Sequence, residues 1–75
     1  MEISKFIKDF ADQFDDTESS EFTEETVFTE LEEWSSLIAL SLIALVKTEY
    51  GKTITGPQIR SCKTIKDLFD LVNSL

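Results

Sequence analysis

Residues 35–51 read SSLIALSLIALVKTEYG and contain the longest apolar run of the chain. This stretch predicts a helix from about Ser36 to Tyr50. Ser35 is a suitable N-cap because its hydroxyl can accept a hydrogen bond from a free N–H of the first turn, and Gly51 can adopt the left-handed conformation that ends helices. Apolar residues occupy almost every side of this helix. A small domain cannot bury all of them, so we expect one side to meet another molecule.

Helical spacing of apolar residues predicts two further long helices and a short one. The first helix ends near residues 15–16, and its apolar stripe consists of Ile3, Phe6, Ile7, Phe10 and Phe14. Residues 57–61 predict a short helix, because proline suits a first helical turn. Thr64 and Asp67 have the spacing of a capping box for a last helix. The apolar face of that helix consists of Ile65, Leu68, Phe69 and Val72.

A long acidic connection precedes the apolar helix. Residues 17–34 are rich in Glu, Thr and Ser, and their apolar anchors are Phe22, Val27, Phe28 and Leu31. Connections of this length are unusual in compact domains and are often functional. With no strand pattern, we predict an all-α fold: a small four-helix bundle of three main helices and one short helix, with a long loop between the first two. The expected core residues are Phe28, Leu42, Ile43, Val46, Ile54, Ile59, Ile65 and Leu68.

Composition excludes several classes of function. The chain has 75 residues, which predicts a single domain over residues 1–75, and it carries 15 acidic and 7 basic residues for a net charge of −8. Such acidity disfavours nucleic acid and anionic membrane surfaces as partners. The absence of His and the single Cys exclude a Ser-His-Asp triad, a His-bearing zinc site and an internal disulfide. An enzyme is therefore disfavoured, and we expect a non-enzymatic protein.

The sequence also predicts the location of the protein and the character of two minor sites. The N-terminus lacks the features of a signal peptide, and the apolar run 37–46 is too short for a membrane span, so we expect a soluble, cytoplasmic, monomeric protein without membrane insertion. Cys62 is expected to be a small semi-buried residue. The carboxylates of residues 12–18 lack the order of an EF-hand loop, so we expect no metal site.

The order of motifs resembles the acyl carrier proteins of the phosphopantetheine-binding family, in their stand-alone bacterial form. The resemblance covers roughly residues 3–72, and no single motif within it is specific. The residues that carry the match are Phe28-x-x-Leu31-x-x-Trp34-x-Ser36-Leu37, Tyr50-Gly51, Ile54-Thr55 and Lys63-Thr64-Ile65-x-Asp67-Leu68. In that family, the Ser that precedes Leu receives 4′-phosphopantetheine from coenzyme A. The resemblance therefore implies that Ser36 is the attachment site of this covalent cofactor.

The resemblance also implies partners and a pathway. A phosphopantetheinyl transferase would modify Ser36, and acyl-transfer, condensing and reducing enzymes of lipid synthesis would dock through basic patches. The implied docking residues are Leu37, Leu40, Ser41, Ala44, Glu30, Glu32 and Glu33, and part of the predicted core could open as an acyl pocket. Fatty acid biosynthesis is the leading pathway. The cargo and its chain length do not follow from the sequence.

Two alternatives remain open at this point. The first is a carrier for a specialised lipid, polyketide, aminoacyl or D-alanyl pathway. The second is an unmodified helical interaction module that uses the Leu37 and Leu40 side to bind a partner. The family usually has Asp immediately before the modified Ser, and this chain has Ser35 instead. That departure is the feature that favours an unmodified module.

Overall fold

Four helices make up most of the chain in the computed structural model, which describes residues 2–75. They are α1 (Ile3–Ala11), α2 (Ser36–Tyr50), α3 (Gly56–Ser61) and α4 (Ile65–Ser74). The connection from α1 to α2 contains two short 3-10 turns, at Ser19–Glu21 and Phe28–Glu30. Residues 2–75 contain no strand, so the predicted all-α class, with three longer helices and one short one, is confirmed.

The α1 helix is shorter than its apolar stripe predicts. It ends at Ala11, whereas the stripe continues to Phe14 and predicts an end near residues 15–16. Beyond Ala11 the backbone forms hydrogen bonds between residues three apart. The N–H of Gln13 donates to the carbonyl of Phe10, and the N–H of Phe14 donates to the carbonyl of Ala11. These bonds are of the 3-10 type and keep Phe14 on the core side, where its ring stacks on Phe10 at 5.5 Å. The predicted helix end is therefore wrong, although Phe14 is buried.

The α2 helix has the predicted bounds and caps. Ser35 accepts a hydrogen bond from the N–H of Ile38, and Gly51 has a left-handed backbone with φ of 66°. The N–H of Gly51 bonds to the carbonyl of Lys47, which closes the last turn. None of the helices in residues 2–75 combines the length and the apolar character that crossing a membrane requires.

Capping boxes start both C-terminal helices. The α4 box joins Thr64 and Asp67 as predicted. A second box joins Thr55 and Gln58 at the start of α3, where the Thr55 hydroxyl accepts from the Gln58 N–H at 3.3 Å. The α3 helix therefore begins at Gly56, one residue before the predicted start.

The core draws on every helix and on the connection. Its members are Phe6, Phe10, Phe14, Phe22, Phe28, Ile38, Leu42, Val46, Ile54, Ile59, Cys62, Ile65, Leu68 and Val72. Ile43 was expected in this core but is half-buried, because it lies 100° around α2 from Leu42 and faces α3. Ile38, one turn before Leu42, is buried on the inner side instead. The radius of gyration of 11.0 Å matches the value of about 11 Å typical of a compact domain of this length.

The middle of the connection, at residues 24–27, docks on the start of α4. The N–H groups of Ile65 and Lys66 donate to the carbonyls of Thr26 and Glu24, at 3.1 and 3.0 Å. These first-turn N–H groups have no partner within their own helix, so the connection satisfies them. Val27 adds an isolated antiparallel bridge to Thr64. The connection is thereby held beside α4 before it reaches α2.

Candidate functional site

Ser36 is the first residue of α2, and its side chain is exposed. The Oγ of Ser35 accepts from the N–H of Ile38 at 3.4 Å, so the cap is supplied by the neighbouring residue. Within residues 2–75 the Ser36 hydroxyl itself makes no hydrogen bond. It lies at the positive end of a helix dipole, where free N–H groups favour an attached phosphate. The two adjacent serines thus have different environments: one caps the helix and the other is available for chemistry.

A partly open cleft of about 330 Å³ lies beside Ser36, between α2 and α3. Its lining residues are Trp34, Ser36, Ala39, Leu40, Ile43, Gly56 and Arg60. Most of this lining is apolar, and Arg60 is its one charged residue among those that the structure describes. Ile43, displaced from the core, forms part of the wall. Its largely apolar lining suits an apolar group, and the exposed Ser36 lies at its rim.

Trp34 connects this cleft to the core. Its ring meets that of the buried Phe28 edge-on, at 5.1 Å between centroids and 60° between planes. Phe28 in turn contacts Phe10 of α1 at 5.5 Å. Aromatic pairs at these distances and angles are favourable beyond the apolar area that they bury. The indole is therefore held at the cleft while the chain enters α2.

The predicted docking residues on α2 form an exposed ridge. Leu37 and Leu40 are 72% and 61% exposed, and Ala44 is exposed beside them. Ser41 is half-buried and lines, together with Ala44, a shallow groove on the side of the ridge away from α3. Leu40 also borders the cleft that contains Ser36. Leu37 and Leu40 are two of the three large hydrophobic residues that the described chain exposes, and both are on α2.

The predicted docking carboxylates do not share one environment. Glu30 and Glu32 are exposed. Glu33 instead accepts hydrogen bonds from the N–H groups of Asp15 and Asp16, at 2.7 and 3.0 Å, and from the Thr17 hydroxyl at 2.8 Å. These bonds, led by the one from Asp15, lower the pKa of Glu33 despite some desolvation. Glu33 joins the two ends of the connection, a role that no local sequence pattern indicates.

Cys62 and the acidic residues of the connection are the remaining candidates. Cys62 is buried, its Sγ lies 3.5 Å from the carbonyl of Gln58, and burial raises its pKa. Cys62 was expected to be semi-buried, and it is instead a buried member of the core. A second cleft of about 360 Å³ is lined by carboxylates of the connection, including Asp16, Glu21 and Glu32. No group of three or more metal-binding side chains is assembled within residues 2–75.

Comparison of the chain with protein-family models, with curated proteins and with solved structures finds no match. What the protein does is therefore inferred from the residues around Ser36.

Proposed function

We propose that this chain is an acyl carrier of the phosphopantetheine-binding family and that Ser36 bears the 4′-phosphopantetheine arm. The supporting observation is the exposed Ser36 hydroxyl, free of capping, at the first residue of an apolar helix and at the rim of a cleft. A modifying enzyme needs access to that hydroxyl, and the attached arm needs adjacent space. Attachment would join the Ser36 oxygen to the arm phosphate and release 3′,5′-ADP from coenzyme A.

The carrier role follows from the arm. Its terminal thiol would hold an acyl group as a thioester, and tethering would raise the local concentration of that group at successive enzymes. The chain itself would perform no catalysis. The proposed fold is the four-helix bundle of the carrier family, with the residues between α1 and α2 as its long loop. We propose a cytoplasmic monomer that serves fatty acid biosynthesis, or a specialised lipid, polyketide, aminoacyl or D-alanyl pathway.

The docking surface would combine an apolar ridge with acidic neighbours. Leu37 and Leu40 would supply the apolar contact, with Ser41 and Ala44 beside them. The exposed Glu30 and Glu32 would steer partners that carry basic patches, because complementary charges speed diffusional encounter. Partners of this kind are the phosphopantetheinyl transferase and the acyl-transfer, condensing and reducing enzymes. Glu33 is the weaker contributor, since its carboxylate is already bonded to the chain.

A second candidate is an unmodified interaction module. It is favoured by the exposed Leu37 and Leu40 and by Ser35, where the carrier family usually has Asp. In that case the ridge would bind the apolar face of a partner helix, and Ser36 would only begin α2. The two candidates differ in one measurable respect, the covalent state of Ser36.

Intact mass after incubation with coenzyme A and a broad-specificity phosphopantetheinyl transferase tests the proposal. The carrier proposal predicts a gain of one phosphopantetheine group, which Ser36→Ala abolishes. If wild type gains nothing, Ser35→Asp is tested in the same way. A gain in that variant would indicate that Ser35 demands a specialised transferase, whereas no gain in either chain would favour the interaction module.

A further inference from the structure

Arg60 is the only arginine of the sequence, and it lines the cleft that contains Ser36. Its side chain turns back along α3 rather than extending away from it. The Nη1 atom lies 3.2 Å from the place where a Cβ on Gly56 would be, one helical turn earlier. The guanidinium therefore lies over the first turn of α3, at the side of the cleft, and Arg60 is exposed.

This guanidinium has no acidic partner within the described residues. The ion pairs of residues 2–75 join Lys5 to Asp9 and Glu49, and Lys66 to Asp70, so no carboxylate lies within 4.0 Å of Arg60. No carboxylate lines the cleft either. The neighbouring cleft at the connection, in contrast, is lined by several. In a chain of net charge −8, the lining of this cleft thus carries one positive charge and no negative one among the described residues.

Resting on the proposed modification of Ser36, we propose that Arg60 binds the phosphodiester that joins the arm to that serine. A guanidinium presents parallel N–H donors that match two oxygens of a phosphate, and such charge-assisted bonds are stronger than neutral ones. The free first-turn N–H groups of α2 would also favour that phosphate. Arg60 is a positioning residue in this account: it would hold the first atoms of the arm at the cleft and direct the remainder along its apolar wall.

The single arginine makes the contact directly measurable by NMR, because the chain has one arginine Nε–Hε signal. The sample is the full chain before and after transferase treatment, with intact mass recording the modification separately. We expect modification to move this signal downfield and to slow exchange of its proton with water. We also expect Arg60→Gln to shift the phosphorus-31 signal of the modified protein.

Lys63→Gln is the matched control, since it removes one positive charge from an exposed position outside the cleft. It should leave the phosphorus signal unchanged. Arg60→Lys keeps the charge but loses the paired donors, so it should resemble Arg60→Gln rather than wild type.

The outcomes separate the two claims. A full mass gain with an unmoved Arg60 signal would overturn the Arg60 contact and leave the carrier proposal intact. Absence of modification in both the wild type and Ser35→Asp would overturn both claims, and if only Ser35→Asp is modified, the arginine signal is compared in that variant. An equal phosphorus shift in Lys63→Gln and Arg60→Gln would show a general charge effect and would also overturn the contact. The arginine signal of the wild-type chain tests the contact between Arg60 and the phosphodiester even if the Arg60 variants fold poorly.

Discussion

Glu33, at the residue scale, ties the end of the connection to its beginning. Its carboxylate accepts from the N–H groups of Asp15 and Asp16 and from the Thr17 hydroxyl. We expect Glu33→Gln to lower the urea midpoint of unfolding and to speed amide exchange at residues 15 and 16, because a neutral amide accepts hydrogen bonds more weakly. Glu32→Gln is the control, since Glu32 is exposed, and it should change neither quantity. Equal effects of the two variants would contradict the assigned role.

The hydrogen bonds of Glu33 make the stability of the fold depend on pH. The pKa of Glu33 is lowered from its usual 4.5, first by the bond from Asp15. A lowered folded-state pKa means that the stabilisation is fully present above about pH 4.5 and is lost as the pH falls through the folded-state value. The difference in unfolding free energy between wild type and Glu33→Gln should therefore shrink as the medium is acidified below pH 4.5. A difference that stays constant down to acid unfolding would contradict this account.

Tyr50 provides a second residue-scale test, at the contact between α1 and α2. Its hydroxyl donates to Asp9 at 2.7 Å, and Lys5 donates to the same carboxylate oxygen at 2.7 Å. We expect Tyr50→Phe to lower the free energy of unfolding by about 1.5 kcal/mol, measured in urea, because one hydrogen bond to a charged acceptor is lost. A double-mutant cycle with Asp9→Ala, which removes the acceptor, isolates the pair. Additive effects of the two changes would contradict a direct contribution of the bond.

Alkaline pH probes the same bond. Burial, and then the hydrogen bond to Asp9, raise the pKa of Tyr50 to about 12. The folded-state pKa lies above the ordinary value of 10.0. The stabilisation of the folded state by the protonated Tyr50 hydroxyl is therefore complete below pH 10 and is lost as the pH rises towards 12. Tyr50→Phe should remove that part of the alkaline loss of stability.

At the scale of elements, the glycine that ends α2 can be tested by substitution. Gly51 ends α2 with φ of 66°, and nothing lies within 4 Å of a Cβ built there, so Gly51→Ala tests backbone strain alone. We expect it to lower the free energy of unfolding by about 1 kcal/mol in urea. Gly56→Ala is the control, because its φ is negative and only the flexible end of Arg60 must move. A larger loss from Gly56→Ala would contradict this interpretation of the α2 end.

The elements also show what the sequence could predict. The bounds of α2 and the start of α4 were predicted because their caps are local: a hydroxyl accepts a bond three residues away. The end of α1 was wrong because periodicity does not distinguish a helix from the 3-10 turn that carries Phe14 to the core. The bonds of Glu33 and the docking of residues 24–26 on α4 join positions distant in sequence, so no local pattern could predict them. The Ser36 position was predictable as a helix start, whereas the cleft depends on how α3 packs beside α2.

For the whole molecule, the net charge predicts how stability depends on salt. With 15 acidic and 7 basic residues, self-repulsion should destabilise the folded state at low ionic strength. The distance over which charges act falls from about 30 Å at 0.01 M to about 8 Å at 0.15 M ionic strength. We therefore expect the melting temperature to rise over that range of sodium chloride, and magnesium to raise it further. An equal concentration of an uncharged solute is the control, and a melting temperature unaffected by either salt would contradict this account.

The most direct test of the central claim locates the modification on the chain. After transferase treatment, cleavage on the carboxyl side of glutamate isolates fragment 34–49, which contains Ser35, Ser36 and Ser41. Tandem mass spectrometry then assigns the added group to one serine. We predict phosphopantetheine on Ser36 alone, retained in Ser35→Ala and absent from Ser36→Ala. A group on Ser35 or Ser41, or fragments left unmodified in both the wild type and Ser35→Asp, would contradict the proposed attachment site.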